Sequence, residues 1–446
     1  MSQADKKARK LSLEALEAAL EAAEPQKALK SRITLDGSAL RVGLREFDLK
    51  KLTGIYVVGG GKASGKMAET LESILGSQIS RGIVNVPRNS GPYRTRAIKI
   101  NEAGHPIPDI SGMEGAREML DVLSHLKESD LVLCLVSGGG SSLMPLPRGE
   151  VTLDDKQWIT DALLRSGAPI NEINTVRKHI SGLKGGWLAK TAFPATIINL
   201  ILSDVVGDPL EFIASGPTVP DSTTFSDAIR VLKLHGLWRK TPPAVKNLLL
   251  MGEKGLVPET PKENDEAFGN AYNVLVGNNR VSTSGAYANL QDAGLNCILL
   301  TSSVEGEARH VGTVLGSIAV EVENSGHPLP RPCGIVVGGE TTVAVSGSGK
   351  GGRNQEIVLS SAMRIHGIEG VAVASFNTDG IDGPTNAAGA VADGKTLARS
   401  EKQGMNAKGF LAQNDSYNFF SRLGDLIFTG PTGTNVNDVS VIVLTT

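Results

Sequence analysis

The residues best placed to do chemistry in this chain gather in three glycine clusters and three acidic spots. Gly60-Gly61-Lys62-Ala63-Ser64-Gly65-Lys66-Met67 combines close backbone approach with the charge of Lys62. It nearly fits the phosphate-binding G-x-x-x-x-G-K-[ST] loop, but Met67 stands where a metal-binding hydroxyl belongs. It also lacks the third glycine and the downstream acid of a dinucleotide fingerprint. A plain strand-to-helix turn stays open for this segment. Ser137-Gly138-Gly139-Gly140-Ser141-Ser142 offers backbone N–H groups and hydroxyls, a nest suited to carboxylate or phosphate. Ser141 is not set in G-x-S-x-G, so a hydrolase elbow is missing.

Gly347-Ser348-Gly349-Lys350-Gly351-Gly352-Arg353 is the third cluster, and its G-x-G-x-x-G match means little alone. The Arg353 guanidinium is shaped for bidentate phosphate contact, and Lys350 adds charge; a solvated hairpin tip is the other reading. The acidic spots are Asp204, Glu340 and the run Asn377-Thr378-Asp379-Gly380-Ile381-Asp382-Gly383. A carboxylate after an apolar strand can reach a hydrated Mg²⁺ or accept a hydroxyl proton. Asp379 and Asp382 also suit simple Asx turns. His105 follows a strand in a Pro-containing turn, as fitting for a loop histidine as for a catalytic one. Neither HExxH nor a Cys/His cluster is present, which argues against zinc.

The elements that must hold these residues are continuous Val/Ile/Leu strands alternating with crossover helices. Ile55–Val58, Gly82–Val86, Ala97–Ile100, Leu131–Val136 and Ala195–Leu202, with helices over Glu114–Leu126 and Asp154–Ser166, predict a doubly wound parallel sheet. Three of these strands run into Gly60, Ser137 and Asp204, one ligand-facing edge. Pro242-Pro243 and the acidic stretch 258–266 then break the alternation. The expected domains are 1–245, a linker over 246–268, and 269–446. The second half restarts with Tyr272–Val276, Asn296–Thr301, Gly334–Val337, Thr342–Ser346, Val371–Ser375, Asp425–Phe428 and Val439–Leu444. The short gap between Gly334–Val337 and Thr342–Ser346 predicts antiparallel neighbours and so a mixed sheet.

At 446 residues the chain exceeds the roughly 250–300 at which single cores stop growing, so two domains are expected. A net charge of −2 provides no basic field for nucleic acid. No run approaches the ~18 apolar residues of a membrane span. Leu13, Leu16 and Leu20 mark an amphipathic surface helix rather than a secretion signal. Cys134, Cys297 and Cys333 are scattered, as suits buried thiols in the cytoplasm. A homo-oligomer is left open.

Together, 57–67, 104–109, 135–143, 171–186, 202–220, 337–356, 375–393 and 429–438 resemble the glycerate kinase family that carries a MOFRL domain. The resemblance implies a Rossmann-like domain, a smaller MOFRL-containing domain and an active site in the cleft between them. It further implies phosphorylation of D-glycerate to 2-phosphoglycerate with ATP and a divalent metal such as Mg²⁺. The family's catalytic lysine maps to Lys62 and its arginine to Arg353. On that basis Lys62 and Arg353 are expected to hold phosphate oxygens, and Asp379 to orient or deprotonate the glycerate hydroxyl. Some of Asp204, Glu340 and Asp382 are expected to carry the metal. Gly60, Gly61, Ser137–Ser142, Lys350, Gly351, Gly352 and Asn377 are expected to line the bound groups. The rival readings are an NAD(P)H-dependent hydroxypyruvate reductase, weakened by the incomplete fingerprint, and a non-enzymatic small-molecule binding protein.

Overall fold

Strands that are apolar on both faces need cover on both sides, and the computed structural model, which describes residues 2–446, supplies it with helices. Six strands form the first sheet in the spatial order Ile98–Ala103, Ile79–Pro87, Gly54–Gly60, Asp130–Ser137, Thr196–Leu202, Ala271–Gly277. The first five run parallel. Numbered along the chain the order is 3-2-1-4-5-6, that of a Rossmann sheet. Every residue of Asp130–Ser137 is buried. The helix Ile110–Leu123 packs Ala116 and Met119 over Val58, Ile83, Val132 and Cys134.

The second sheet is mixed, as expected: Asn296–Val304, Cys333–Gly339, Asp438–Leu444, Val371–Asn377, Gly389–Asp393 and Leu426–Ile427 lie side by side. The first pair is parallel and the others are antiparallel. One expected strand is absent. Thr342–Ser346 makes only an isolated bridge, Thr342 to Glu307, and Val345 is exposed. The antiparallel neighbour of Cys333–Gly339 is instead Asp438–Leu444, buried at every position, which removes far more apolar surface from water than the short polar segment could.

The division of the chain also departs from the expected boundaries. One compact unit is Ala28–Val276; the other is Gly277–Thr446 joined by the N-terminal segment through Lys27. Tyr272–Val276 therefore closes the first sheet instead of opening the second, and the stretch 246–268 belongs to the first unit. The N-terminal helix Gln3–Ala22 covers the second sheet with Ala8, Ala15, Leu16 and Ala19, while Leu13 of the expected stripe stays exposed. Small residues on that face allow close approach to helix Asn279–Asp292, and Arg9 pairs with Asp393 at 2.8 Å and Asp425 at 2.6 Å. No helix among the described residues is long and apolar enough to cross a membrane.

Candidate active site

In the first unit the strand order reverses between Gly54–Gly60 and Asp130–Ser137, and in open α/β sheets ligands bind at the carboxyl ends of strands at such a point. The two glycine loops leave from these two strands and are stitched together. The Lys62 N–H donates to Gly138 O at 2.8 Å, the Ala63 N–H to Ser137 Oγ at 3.0 Å, and Ser64 Oγ to Leu135 O at 3.0 Å. Gly61 is a glycine for steric reasons, since a Cβ there would lie 2.1 Å from Ser137 Oγ.

The second loop gathers the other predicted groups. A Cβ on Gly138 would lie 1.9 Å from Asp204 Oδ2, which fixes Asp204 beside the loop. Gly139 has φ +82°, a left-handed conformation, and its Cβ position is 2.8 Å from His105 Nε2 and 3.5 Å from Lys62 Cγ. Gly140 packs on Gly60 O. Lys62, His105, Ser137–Ser142 and Asp204 are thus brought together. Burial and then Lys62 lower the pKa of His105, which favours a neutral imidazole. The Ser141 hydroxyl is 2.9 Å from that of Ser215, which donates to Asn174 Oδ1 at 3.0 Å. This is a structural hydroxyl chain, and among the described residues no histidine is bonded to Ser141.

Sequence reasoning gave no role to the residues behind this loop. Lys184 Nζ donates to Ser141 O at 2.8 Å, and Lys156 and Arg177 lie in its electrostatic neighbourhood. The signal available was the Arg-Lys-His and Lys-Gly-Gly runs of 171–186.

In the second unit Arg353 opens the helix Arg353–Arg364. Its Nη1 meets Glu340 Oε1 at 2.6 Å, and its Nε and Nη2 take Asp438 Oδ2 and Oδ1 at 2.6 and 3.0 Å. Asp438, which was not foreseen, sits at a strand end between Gly339 and Asn377. Burial pushes its carboxyl up to about 7 against the pull of Arg353. The double contact with the guanidinium, one hydrogen bond and one close ion-pair approach, offsets much of the cost of burying the carboxylate and favours the ionised pair. The same two carboxylates hold the Arg353 pKa well above its ordinary value against burial. Gly351, Gly352, Arg353 and Asn377 line a cavity of about 490 Å³ with Glu356 and Thr341. The glycines of this loop also have a packing role: Cβ atoms on Gly347 and Gly351 would lie 2.4 Å from Gln413 Cα and 2.2 Å from Ser416 Oγ. Lys350 Nζ rests over the Tyr417 ring at 4.3 Å.

Two of the acidic residues expected to bind metal have other work. Asp382 is buried, and its oxygens accept the Asn354 N–H at 3.1 Å and the Gln355 N–H at 3.0 Å, capping the helix that Arg353 opens. Glu340 is committed to Arg353. Among the described residues no group of three or more His, Cys, Asp or Glu is arranged to hold a metal ion. Glu340 and Asp382 are thus each taken up by contacts within the second unit. Asp379 forms the expected Asx turn, accepting the Ile381 N–H at 2.9 Å, while Asn377 accepts the Asp379 N–H at 3.2 Å.

Two family models match the chain, "Domain of unknown function (DUF4147)" over residues 11–250 and "MOFRL family" over residues 333–438. A Glycerate 2-kinase of Pyrococcus horikoshii is 43% identical, covering 98% of this chain and 97% of that one. A D-glycerate 2-kinase of Thermotoga maritima is 41% identical, covering 97% of each. The crystal structure of a glycerate kinase from Thermotoga maritima superposes with a TM-score of 0.88 at 40% identity, covering 98% of this chain and 100% of that one. With its Rossmann sheet carrying a lysine between two glycine loops and its mixed sheet carrying the MOFRL region, the chain belongs to the glycerate 2-kinase family.

Proposed function

We propose that the protein transfers the terminal phosphoryl group of ATP to the 2-hydroxyl of D-glycerate, releasing ADP and 2-phosphoglycerate. Similarity to glycerate 2-kinases over nearly the whole chain supports the reaction. The observation that carries the site is Lys62: it lies at the switch point, half-buried, and has no acidic partner among the described residues. Phosphoryl transfer asks for alignment and positive charge more than for covalent chemistry, and a lysine without a counter-ion at two strand ends supplies that charge.

The remaining roles follow from what each side chain has left to offer. Arg353 is anchored by buried Asp438, while its Glu340 arm is 40% exposed. Exchange of Glu340 for a phosphate oxygen frees one edge of the guanidinium without losing its orientation. Asp379 has one oxygen in its turn, and the second is suited to orient the glycerate hydroxyl. Of the three residues expected to hold the metal, Asp382 caps a helix and Glu340 pairs with Arg353, while Asp204 stays beside the first-unit glycine loop. The three cysteines are free thiols, in keeping with a reducing compartment such as the cytoplasm.

The test is incubation of purified protein with D-glycerate, ATP and Mg²⁺, following products by ³¹P NMR. The wild type is expected to form 2-phosphoglycerate, and Lys62→Met to lower kcat by about 10²–10³-fold with an unchanged melting temperature. Failure of the wild type to make phosphoglycerate, or near-normal turnover by Lys62→Met, overturns the reading.

A further inference from the structure

Helix Ile170–His179 ends in three consecutive basic residues with different surroundings. Lys178 is buried between Asp221 at 3.4 Å and Glu211 at 3.5 Å. His179 places Nε2 2.9 Å from Glu259 and Nδ1 2.7 Å from Thr175 O. The Arg177 side chain, which precedes them in sequence and is half-buried, has no acceptor among the described residues.

Two further cations border this helix end: Lys156 bonds the carbonyl of Ile180, the residue that follows the helix, and Asn174, one turn before Arg177, is joined through Ser215 to Ser141, whose carbonyl takes Lys184. Lys184 is 1% exposed, and its acceptor is a neutral carbonyl, Ser141 O. Lys156 is 6% exposed, and its acceptor is also neutral, Ile180 O at 3.2 Å. Their electrostatics are coupled: burial and then Arg177 push Lys156 down to about 7, and burial, Arg177 and Lys156 push Lys184 well below its usual value. A chain that buries cations ordinarily pairs them, because an uncompensated buried charge is strongly destabilising. The neighbouring Lys178 obeys that rule, whereas Arg177, Lys184 and Lys156 lack a carboxylate counter-charge among the described residues. The acceptor of Lys184 belongs to the same glycine loop whose Gly139 borders Lys62.

We propose that Arg177 and Lys184, behind the Ser141–Ser142 end of the loop, form the receptor for the carboxylate of the three-carbon acid. The assignment rests on the kinase reading above and adds the residues that recognise the acid. A planar carboxylate matches one guanidinium edge and one ammonium, and it supplies the anion this cluster lacks. Lys62, beside Gly139 at the other end of the loop, is left for the phosphates.

The test measures KM for D-glycerate at saturating ATP, and KM for ATP at saturating D-glycerate, in Arg177→Gln, Arg177→Lys and Lys184→Met. Arg177→Gln is expected to raise the glycerate KM by about 10- to 100-fold, with the ATP KM unchanged and partial recovery in Arg177→Lys. Its melting temperature should not fall, because Arg177 makes no hydrogen bond or ion pair among the described residues; a structural arginine would show the reverse. A raised ATP KM with an unchanged glycerate KM moves the cluster to the nucleotide and overturns the assignment, as does no change in either constant. Should Lys184→Met not fold, Arg177→Gln still decides. Wild-type protein that makes no phosphoglycerate overturns the kinase reading and this one together; an active wild type with an unaltered Arg177→Gln overturns this one alone.

Discussion

Lys62 and Arg353 are both cations at strand ends, yet they differ in what surrounds them. Arg353 is neutralised by Glu340 and Asp438, so its contribution is a fixed direction and an exchangeable edge; Lys62 keeps its charge uncommitted. The same contrast separates Arg177 from Lys178 and His179. The His179 pair also sets a pH dependence of stability. Although burial raises the Glu259 carboxyl, its bonds from His179 and from the Phe225 N–H win and bring it from an ordinary 4.5 down to about 2. A carboxyl whose pKa is lower in the folded than in the unfolded chain stabilises the fold above the unfolded value, and that stabilisation is lost as pH falls toward the folded one. Urea midpoints measured across this range should therefore fall between about pH 4.5 and 2. Glu259→Gln should flatten the slope in that window, and an unaltered slope would show that the pair is not formed.

At the scale of elements, two loops act as one because the backbone leaves no room between them. The clearest case is Gly138, where a methyl group would fall 1.9 Å from Asp204 Oδ2. Gly138→Ala should displace Asp204 and cost on the order of 1–3 kcal/mol, typical of overpacking, with a sharp loss of turnover. Gly269→Ala, whose Cβ meets nothing within 4 Å, serves as the control and should leave both stability and turnover unchanged. Equal melting temperatures for the two variants would refute the steric account. The strand ends and their glycines were legible along the chain, since an apolar run followed by Gly-Gly-Gly is a local pattern. The stitching was not, because Ser137 lies 74 residues from Ala63.

The whole molecule is not divided where its composition breaks. Helix Gln3–Ala22 completes the core of the second unit, packing with Ala372, Ala374, Val439, Val441 and Val443, and Arg9 reaches two carboxylates of that unit. A fragment of residues 28–276 should unfold cooperatively on its own. Residues 277–446 without the N-terminal helix should bind hydrophobic dye and lack a sharp transition, because one face of the sheet is left bare. Circular dichroism melts of the two fragments check this, and a cooperative melt of 277–446 alone would count against it.

What the sequence by itself determined is the set of features written in neighbouring residues: the parallel strands, the glycine loops at strand ends, and the motifs that mark the family. These follow from periodicity and chain stiffness, which act over a few residues. Only the tertiary structure decided that Asp382 caps a helix 28 residues earlier, that Asp438 holds Arg353 from 85 residues away, and that the N-terminal helix joins the second sheet. It alone also showed which buried lysines have only a neutral carbonyl, and no counter-charge, among the described residues. Whether a charge is free or spent depends on which distant faces pack together, and that is settled by burial and pairing across the whole fold.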